Sequence, residues 1–259
     1  MKKFPSLLAA ALSVIAVSCS IKEDRSLCPC CLELTVSGGD DGLCLASVSG
    51  RNFSVRDSID VQGTWYCSVP RGEYGIYAVS GIHNVVAEDG TVRCRDGMEM
   101  DEIYSGRTSV TAEGEVLSVP MRLHRQSAFI HISVTDSSAG DYPYCLRLKG
   151  RFCGFDIIEG RPVPGDFSVR LHPVVGLYHR VCVPRQGDDS LELEFYDARD
   201  GHYVGSEPVG RYIKSSGYDW YAEDLKDIRM DIDYVNSDFE VTISGWDSVR
   251  LPEYSCQDP

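Results

Sequence analysis

Apolar and polar residues alternate along most of this chain, the period of a strand with one dry face and one wet face. In "CLELTV" Leu32 and Leu34 share a face, and in "EYGIYAVSG" Tyr74, Ile76 and Ala78 do the same. Further strands are predicted over 64–69 ("TWYCSV") and 115–123 ("EVLSVPMRL"). "AFIHISVT" turns Ala128, Ile130, Ile132 and Val134 inward and Phe129, His131 and Ser133 outward. "SLELEFYD" sets Leu191, Leu193 and Phe195 against Glu192 and Glu194. "IRMDIDY" sets Ile228, Met230, Ile232 and Tyr234 against Arg229, Asp231 and Asp233, and "DFEVTISGW" sets Phe239, Val241 and Ile243 against Glu240, Thr242 and Ser244. Strands with one wet face belong to antiparallel sandwiches.

Turn residues punctuate these runs, and Asp89-Gly90 and Asp200-Gly201 read as tight hairpin turns. Helical periodicity is nearly absent; one short turn of helix is expected near Ala222 to Lys226. The predicted class is all-β. A break between Arg125 and Gln126 divides the chain into 31–125 and 126–259, each the size of one sandwich. No Pro- or Ser-rich linker marks the break, so the two parts are expected to touch.

The first residues read differently. Lys2 and Lys3 precede the apolar run "LLAAALSVIAV", then Ser18 and Cys19. This is the layout of a secretory signal peptide, residues 1–18. The run is shorter than the roughly 20 apolar residues that span a bilayer. "AVSC" is similar to a bacterial lipobox, which makes Cys19 the expected lipidation site and 19–30 a tether at the outer membrane; Ala16 stands where leucine is usual. Several acyl chains (palmitate among them) anchor stably where one is marginal. "SIKED" after the cysteine resembles the acidic signal that carries Bacteroidetes lipoproteins to the outer surface.

Charge and cysteine content narrow the function. Loss of residues 1–18 leaves 241 residues and moves the net charge from −14 to about −16. So acidic a chain excludes nucleic acid as a partner, since no basic stripe is present to neutralise phosphates. Beyond Cys19, ten cysteines remain: 28, 30, 31, 44, 67, 94, 145, 153, 182 and 256. An even number in an exported chain makes disulfide bonds the default expectation, with Cys145–Cys153 closing a hairpin-sized loop and the Cys28 to Cys31 cluster tying down the N-terminal segment. Cys28-Pro29-Cys30-Cys31 contains a C-x-x-C, but the second ligand pair of a zinc site is missing, and the strand that follows is the wrong setting for a thioredoxin-like motif.

In order along the chain, "CSIKEDRSLCPC", "VPRGEYGIYAVSG" (69–81), "MRLHRQSAFIHISV" (121–134) and "FEVTISGWDSV" (239–249) resemble the FimB-type fimbrial anchor lipoproteins of Bacteroidales, the minor-fimbrium anchoring family. The resemblance implies two tandem transthyretin-like antiparallel β-sandwich domains. It implies an outer-membrane lipoprotein that acts as anchor or accessory subunit of a fimbrium (pilus) in cell adhesion. Its implied partners are pilin subunits, joined by β-strand complementation. The ten cysteines depart from what the family leads one to expect.

Catalytic patterns are not found, and the expectation is a non-enzymatic protein with no cofactor and no metal. His83, His124, His131, His172, His179 and His202 form no H-E-x-x-H, and there is no G-x-S-x-G. His131 is expected to be solvated. His172 and His179 flank a short run and could meet across a bend. Asp231 and Asp233 share a strand face as any acidic sheet allows. Asp40, Asp41, Asp188 and Asp189 lack the EF-hand pattern. Trp65, Tyr66, Tyr218, Trp220, Tyr221 and Trp246 raise a second reading, a surface lipoprotein that binds glycans. On that reading "SSGYDWYAEDL" is a loop with three exposed aromatic rings; the alternative is that Trp220 packs between the two domains.

Overall fold

The computed structural model of this protein describes residues 28–39, 42–135, 144–233 and 238–244. Residues 1–27, including Cys19, lie outside the described residues, as do Asp40, Asp41, Tyr234, Trp246 and Cys256.

The first half contains β1 (Cys30–Ser37), β2 (Leu43–Gly50), β3 (Phe53–Asp60), β4 (Thr64–Val69), β5 (Gly72–Ser80), β6 (Val86–Glu88), β7 (Thr91–Arg93), β8 (Tyr104–Ala112), β9 (Val116–Arg122) and β10 (His124–Arg125). The second contains β11 (Ser127–Thr135), β12 (Tyr144–Asp156), β13 (Arg161–Leu171), β14 (Pro173–Val175), β15 (Tyr178–Pro184), β16 (Glu192–Asp197), β17 (Tyr203–Glu207), helix α1 (Val209–Ser215), β18 (Asp227–Asp233) and β19 (Asp238–Ser244). β10 and β11 fall in different sheets, on either side of the Arg125/Gln126 break.

One strand order occurs twice. In the first half β4-β1-β9 form one sheet, and β8-β5-β2-β3, extended by β10, form the other. In the second half β15-β11-β18 match the first of these, and β17-β16-β12 with β13 match the other. Between the sheets of the first half lie Leu32, Leu34, Val48, Ile76, Val119 and Met121, all buried. Between those of the second lie Ile130, Ile132, Leu148, Leu193, Ile228 and Met230. Period-two alternation therefore places its apolar set in the two cores.

One sheet of each half is mixed, which corrects the expectation of purely antiparallel sandwiches. The seventh strand of each repeated order returns from the opposite sheet and lies parallel to the first, β9 beside β1 and β18 beside β11. Alternation reports which face is buried and carries no information about strand direction.

The hairpin β6–β7 crosses between the halves. Its turn is Asp89-Gly90 with φ of 47° and 78°, the two positive values of a type I′ turn. β7 pairs with the far end of β12, whose near end pairs with β16. A third apolar cluster forms there, with Val79, Val92, Met100 and Ile103 from the first half meeting Phe155, Ile157 and Cys182 from the second. The halves thus touch, as the missing linker led one to expect.

Two other expectations are corrected. The helix is at Val209–Ser215, with Val209 and Ile213 buried one turn apart; residues 222–226 form bends and irregular chain. Cys145 and Cys153 cannot close a loop, because both lie on the single strand β12, and eight residues of strand span roughly 26 Å. All nine described cysteines carry free thiols in this structure. Cys30, Cys44 and Cys182 are buried within the apolar clusters as small hydrophobes.

Candidate functional site

β9 is an edge strand of its sheet. At the ends of its parallel ladder with β1, Cys31 N donates to Glu115 O and Leu123 N donates to Ser37 O, both at 2.8 Å. Alternation along the strand then turns the backbone groups of Leu117, Val119 and Met121 toward β1. Those of Val116, Ser118, Pro120 and Arg122 face the outer edge. Pro120, which has no N–H, stands where the ladder needs none. It also blunts the edge against indiscriminate pairing. The outer edge still offers the amides of Ser118 and Arg122 and carbonyls on both sides of the proline. No strand among the described residues covers it. Its counterpart in the second half, β18, has that edge covered by β19 over seven paired positions. Among the described residues the outer edge of β4 is also free, and its counterpart β15 is covered over only two paired positions by β14.

A cleft of about 510 Å³ runs beside β9, between the halves. Arg107 of β8, Pro120 and Arg122 of β9 and His124 of β10 form one wall; Phe155 and the loop at Tyr221 form the other. At its inner end a Cβ on Gly106 would lie 2.7 Å from Arg122 O, so only glycine permits β8 and β9 to approach so closely there. Arg107 Nη1 donates to Ile158 O at 2.6 Å. His124 places Nδ1 3.0 Å from Asp224 and Nε2 3.1 Å from Glu223, joining the halves across the cleft. Burial alone would raise the Asp224 carboxyl, but the Arg125 amide and His124 outweigh it and hold it below the usual carboxylate range. Arg185 is buried and donates to Trp220 O at 2.5 Å and to Ala222 O at 2.8 Å, which fixes the 219–225 loop as the far wall.

The sequence candidates scatter. His131 is buried, not solvated: Tyr178 bonds its Nδ1 and Asp227 lies 3.5 Å from its Nε2. Asp227 also holds Arg125 at 2.7 Å. Burial alone would raise the Asp227 carboxyl; the His131 and Arg125 donors outweigh it and hold it low. His172 does approach His179, but His172 is exposed and His179 buried. Asp188 pairs with Arg151 at 3.1 Å and Asp189 with Lys214 at 3.4 Å, so both are engaged as turn and surface groups. No group of three or more metal-ligating side chains occurs among the described residues. Tyr218 and Trp220 pack edge to face at 4.7 Å in the second core. Only Tyr221 of the expected three rings is exposed, at 71 %, so the 215–225 loop presents no aromatic platform, and Trp220 does not lie between the halves. Neither Arg107 nor Arg185 stood out in the sequence, since a lone arginine carries no spacing signal.

No family model matches the chain, and no curated protein matches it. Solved structures do. The fimbrial anchor protein Mfa2 from Porphyromonas gingivalis superposes with a TM-score of 0.62 at 14% identity, over 85% of this chain and 98% of that one. A candidate polysaccharide-binding protein from Bacteroides thetaiotaomicron gives 0.61 at 12%, over 84% and 96%. A candidate adhesin from Bacteroides ovatus gives 0.60 at 14%, over 88% and 96%. The chain shares the fold of these proteins over nearly their whole length.

Proposed function

We propose that this chain is a non-enzymatic subunit of a surface fimbrium, an anchor or accessory subunit that receives a β-strand from a neighbouring pilin along the outer edge of β9. The carrying observation is the open edge of β9, where the repeated strand order of the second half has β19. Main-chain bonds to Ser118 and Arg122 would supply affinity, and alternate side chains of the incoming strand would enter the cleft. Cys19 is its lipid attachment site at the outer membrane, which places the subunit at the cell surface. The repeated seven-strand order is read as two tandem transthyretin-like units. The fold shared with a fimbrial anchor protein supports this reading.

Ser118 provides the test, because its backbone groups point away from β1. A photo-crosslinking amino acid at position 116, in the cells that make the protein, is expected to trap a fimbrial subunit. Ser118→Pro removes the outward amide, spares the ladder to β1, and is expected to abolish the adduct while the folded circular dichroism spectrum persists. An adduct that survives Ser118→Pro, or none in the parent, overturns the proposal.

A further inference from the structure

Two cysteines face one another where the halves are joined. β7 and β12 run antiparallel with Arg93 opposite Gly154 and Val92 opposite Phe155. One step further along that register sets Cys94 opposite Cys153. Their backbones are in contact, for Cys94 N donates to Cys153 O at 2.7 Å. Opposed residues of a hydrogen-bonded antiparallel pair have Cα atoms about 5.5 Å apart, inside the roughly 4.4–6.8 Å that a disulfide requires. Directly opposed residues also project to the same face of a ladder.

The surroundings of the two thiols differ. Cys153 lies at a bulge in the β12–β13 pairing, between Phe152 and Gly154. Its Sγ sits 3.9 Å from Pro164 O and 3.8 Å from Arg93 Nη1, and Gly165 leaves it room. Cys94 lies deeper, with its Sγ 3.5 Å from Met100 Sδ. Burial, with the neighbouring Cys153 adding to it, pushes the Cys94 thiol up to about 12. Cys94 is therefore a poor first nucleophile.

We propose that Cys94 and Cys153 form a cross-strand disulfide that staples the β6–β7 hairpin of the first half to β12 of the second. The oxidant is a small-molecule or protein disulfide. The Cys153 thiolate attacks one of its sulfurs, forms a mixed disulfide and releases one thiol. Cys94 gives its proton to solvent and attacks Cys153 Sγ, forming the Cys94–Cys153 bond and releasing the second thiol. Two protein thiols are oxidised and one disulfide is reduced to two thiols. The bond requires a χ1 rotation that takes Cys153 Sγ from Pro164 O toward Cys94. The inference is independent of the fimbrial reading, and the ladder it closes is the one strand pairing between the halves among the described residues.

The test uses the whole chain with oxidised glutathione as the probe. Free thiols are alkylated and peptides are mapped by mass spectrometry without reduction. The expected product links the peptide of Cys94 to that of Cys153, and the oxidised protein unfolds roughly 10 °C above the reduced form, as a crosslink closing a loop of about 60 residues implies. Cys94→Ser and Cys153→Ser should each abolish both the link and the shift, and each should match the reduced parent in its own melting temperature. Glutathione retained on Cys153 with no transfer to Cys94 overturns the proposal. So does a dominant link between any other pair. The peptide map of the parent protein decides the matter even if a serine variant does not fold.

Discussion

Asp101 holds the segment that leaves β5 for the second half. It is 8 % exposed. Its Oδ2 accepts the amides of His83 (2.7 Å), Asn84 (2.6 Å) and Val85 (3.0 Å), and its Oδ1 accepts Asn84 Nδ2 (3.2 Å). Asp101→Ala leaves three amides without their acceptor. The bond from Val85 is buried; the other two amides are part-buried and can regain water. Counting about 2 kcal/mol for the first and about 1 for each of the others predicts a loss of about 4 kcal/mol. For a chain of this length that is a fall in melting temperature of about 8–16 °C. Asp101→Asn keeps an acceptor but loses the charge, so about half of that loss is expected. Burial alone would raise the Asp101 carboxyl, and the amide donors outweigh it, so the folded value lies below the ordinary one. Stability from such a group is complete above the unfolded value of about 3.9 and is lost as pH falls through the folded value. The gap between parent and Asp101→Asn should therefore be full at pH 7 and close below about pH 3.9. Thermal unfolding across pH measures it, with hydrogen exchange at residues 83–85 as the local readout. A loss under about 1 kcal/mol for Asp101→Ala, or an Asn gap unchanged at pH 3, refutes the reasoning.

Two further outcomes are expected. Arg185→Met orphans the buried carbonyl of Trp220 and the part-buried carbonyl of Ala222, so a loss of about 3 kcal/mol and a red shift of tryptophan emission should appear; an unmoved emission maximum counts against the role of Arg185 in the cleft wall. Cys19→Ala should release the protein from membranes into the soluble fraction, while the parent carries acyl mass on its N-terminal peptide; an unmodified, soluble parent removes the anchor from the proposed function.

Period two was enough to read the strands and their faces. Ile130 and Ile132 turn inward, and so do Ile228 and Met230, as the alternation requires. The type I′ turn at Asp89-Gly90 was equally legible, because those residues tolerate positive φ. The strand path was not. Nothing local distinguishes β9 as parallel to β1, and nothing in residues 91–93 announces that they pair with residues 154–156. His131 was misread because alternation assigns a sheet face without saying what covers it; Tyr178 and Asp227, distant in sequence, do so. The 215–225 loop was misread for the same reason, since Trp220 and Tyr218 find the second core through a turn whose shape depends on Arg185. The open edge of β9 could be found only by comparing the two halves in space.

The crossing hairpin also bears on the order in which the chain folds. As synthesis proceeds from the N-terminus, the seven strands that frame the first sandwich can pair among themselves. β7 can pair only with β6, because its partner residues on β12 arrive later; Arg93 and Cys153 are 60 residues apart. Until then Val92, wholly buried in the finished protein, stays uncovered. Contacts of long sequence separation form slowly, so this hairpin is expected to be the last element of the first half to settle. It makes completion of that half conditional on the second. Two units that could have behaved as independent beads are thereby bound into one cooperative transition, and a chain truncated before β12 is expected to expose this apolar strand and to aggregate.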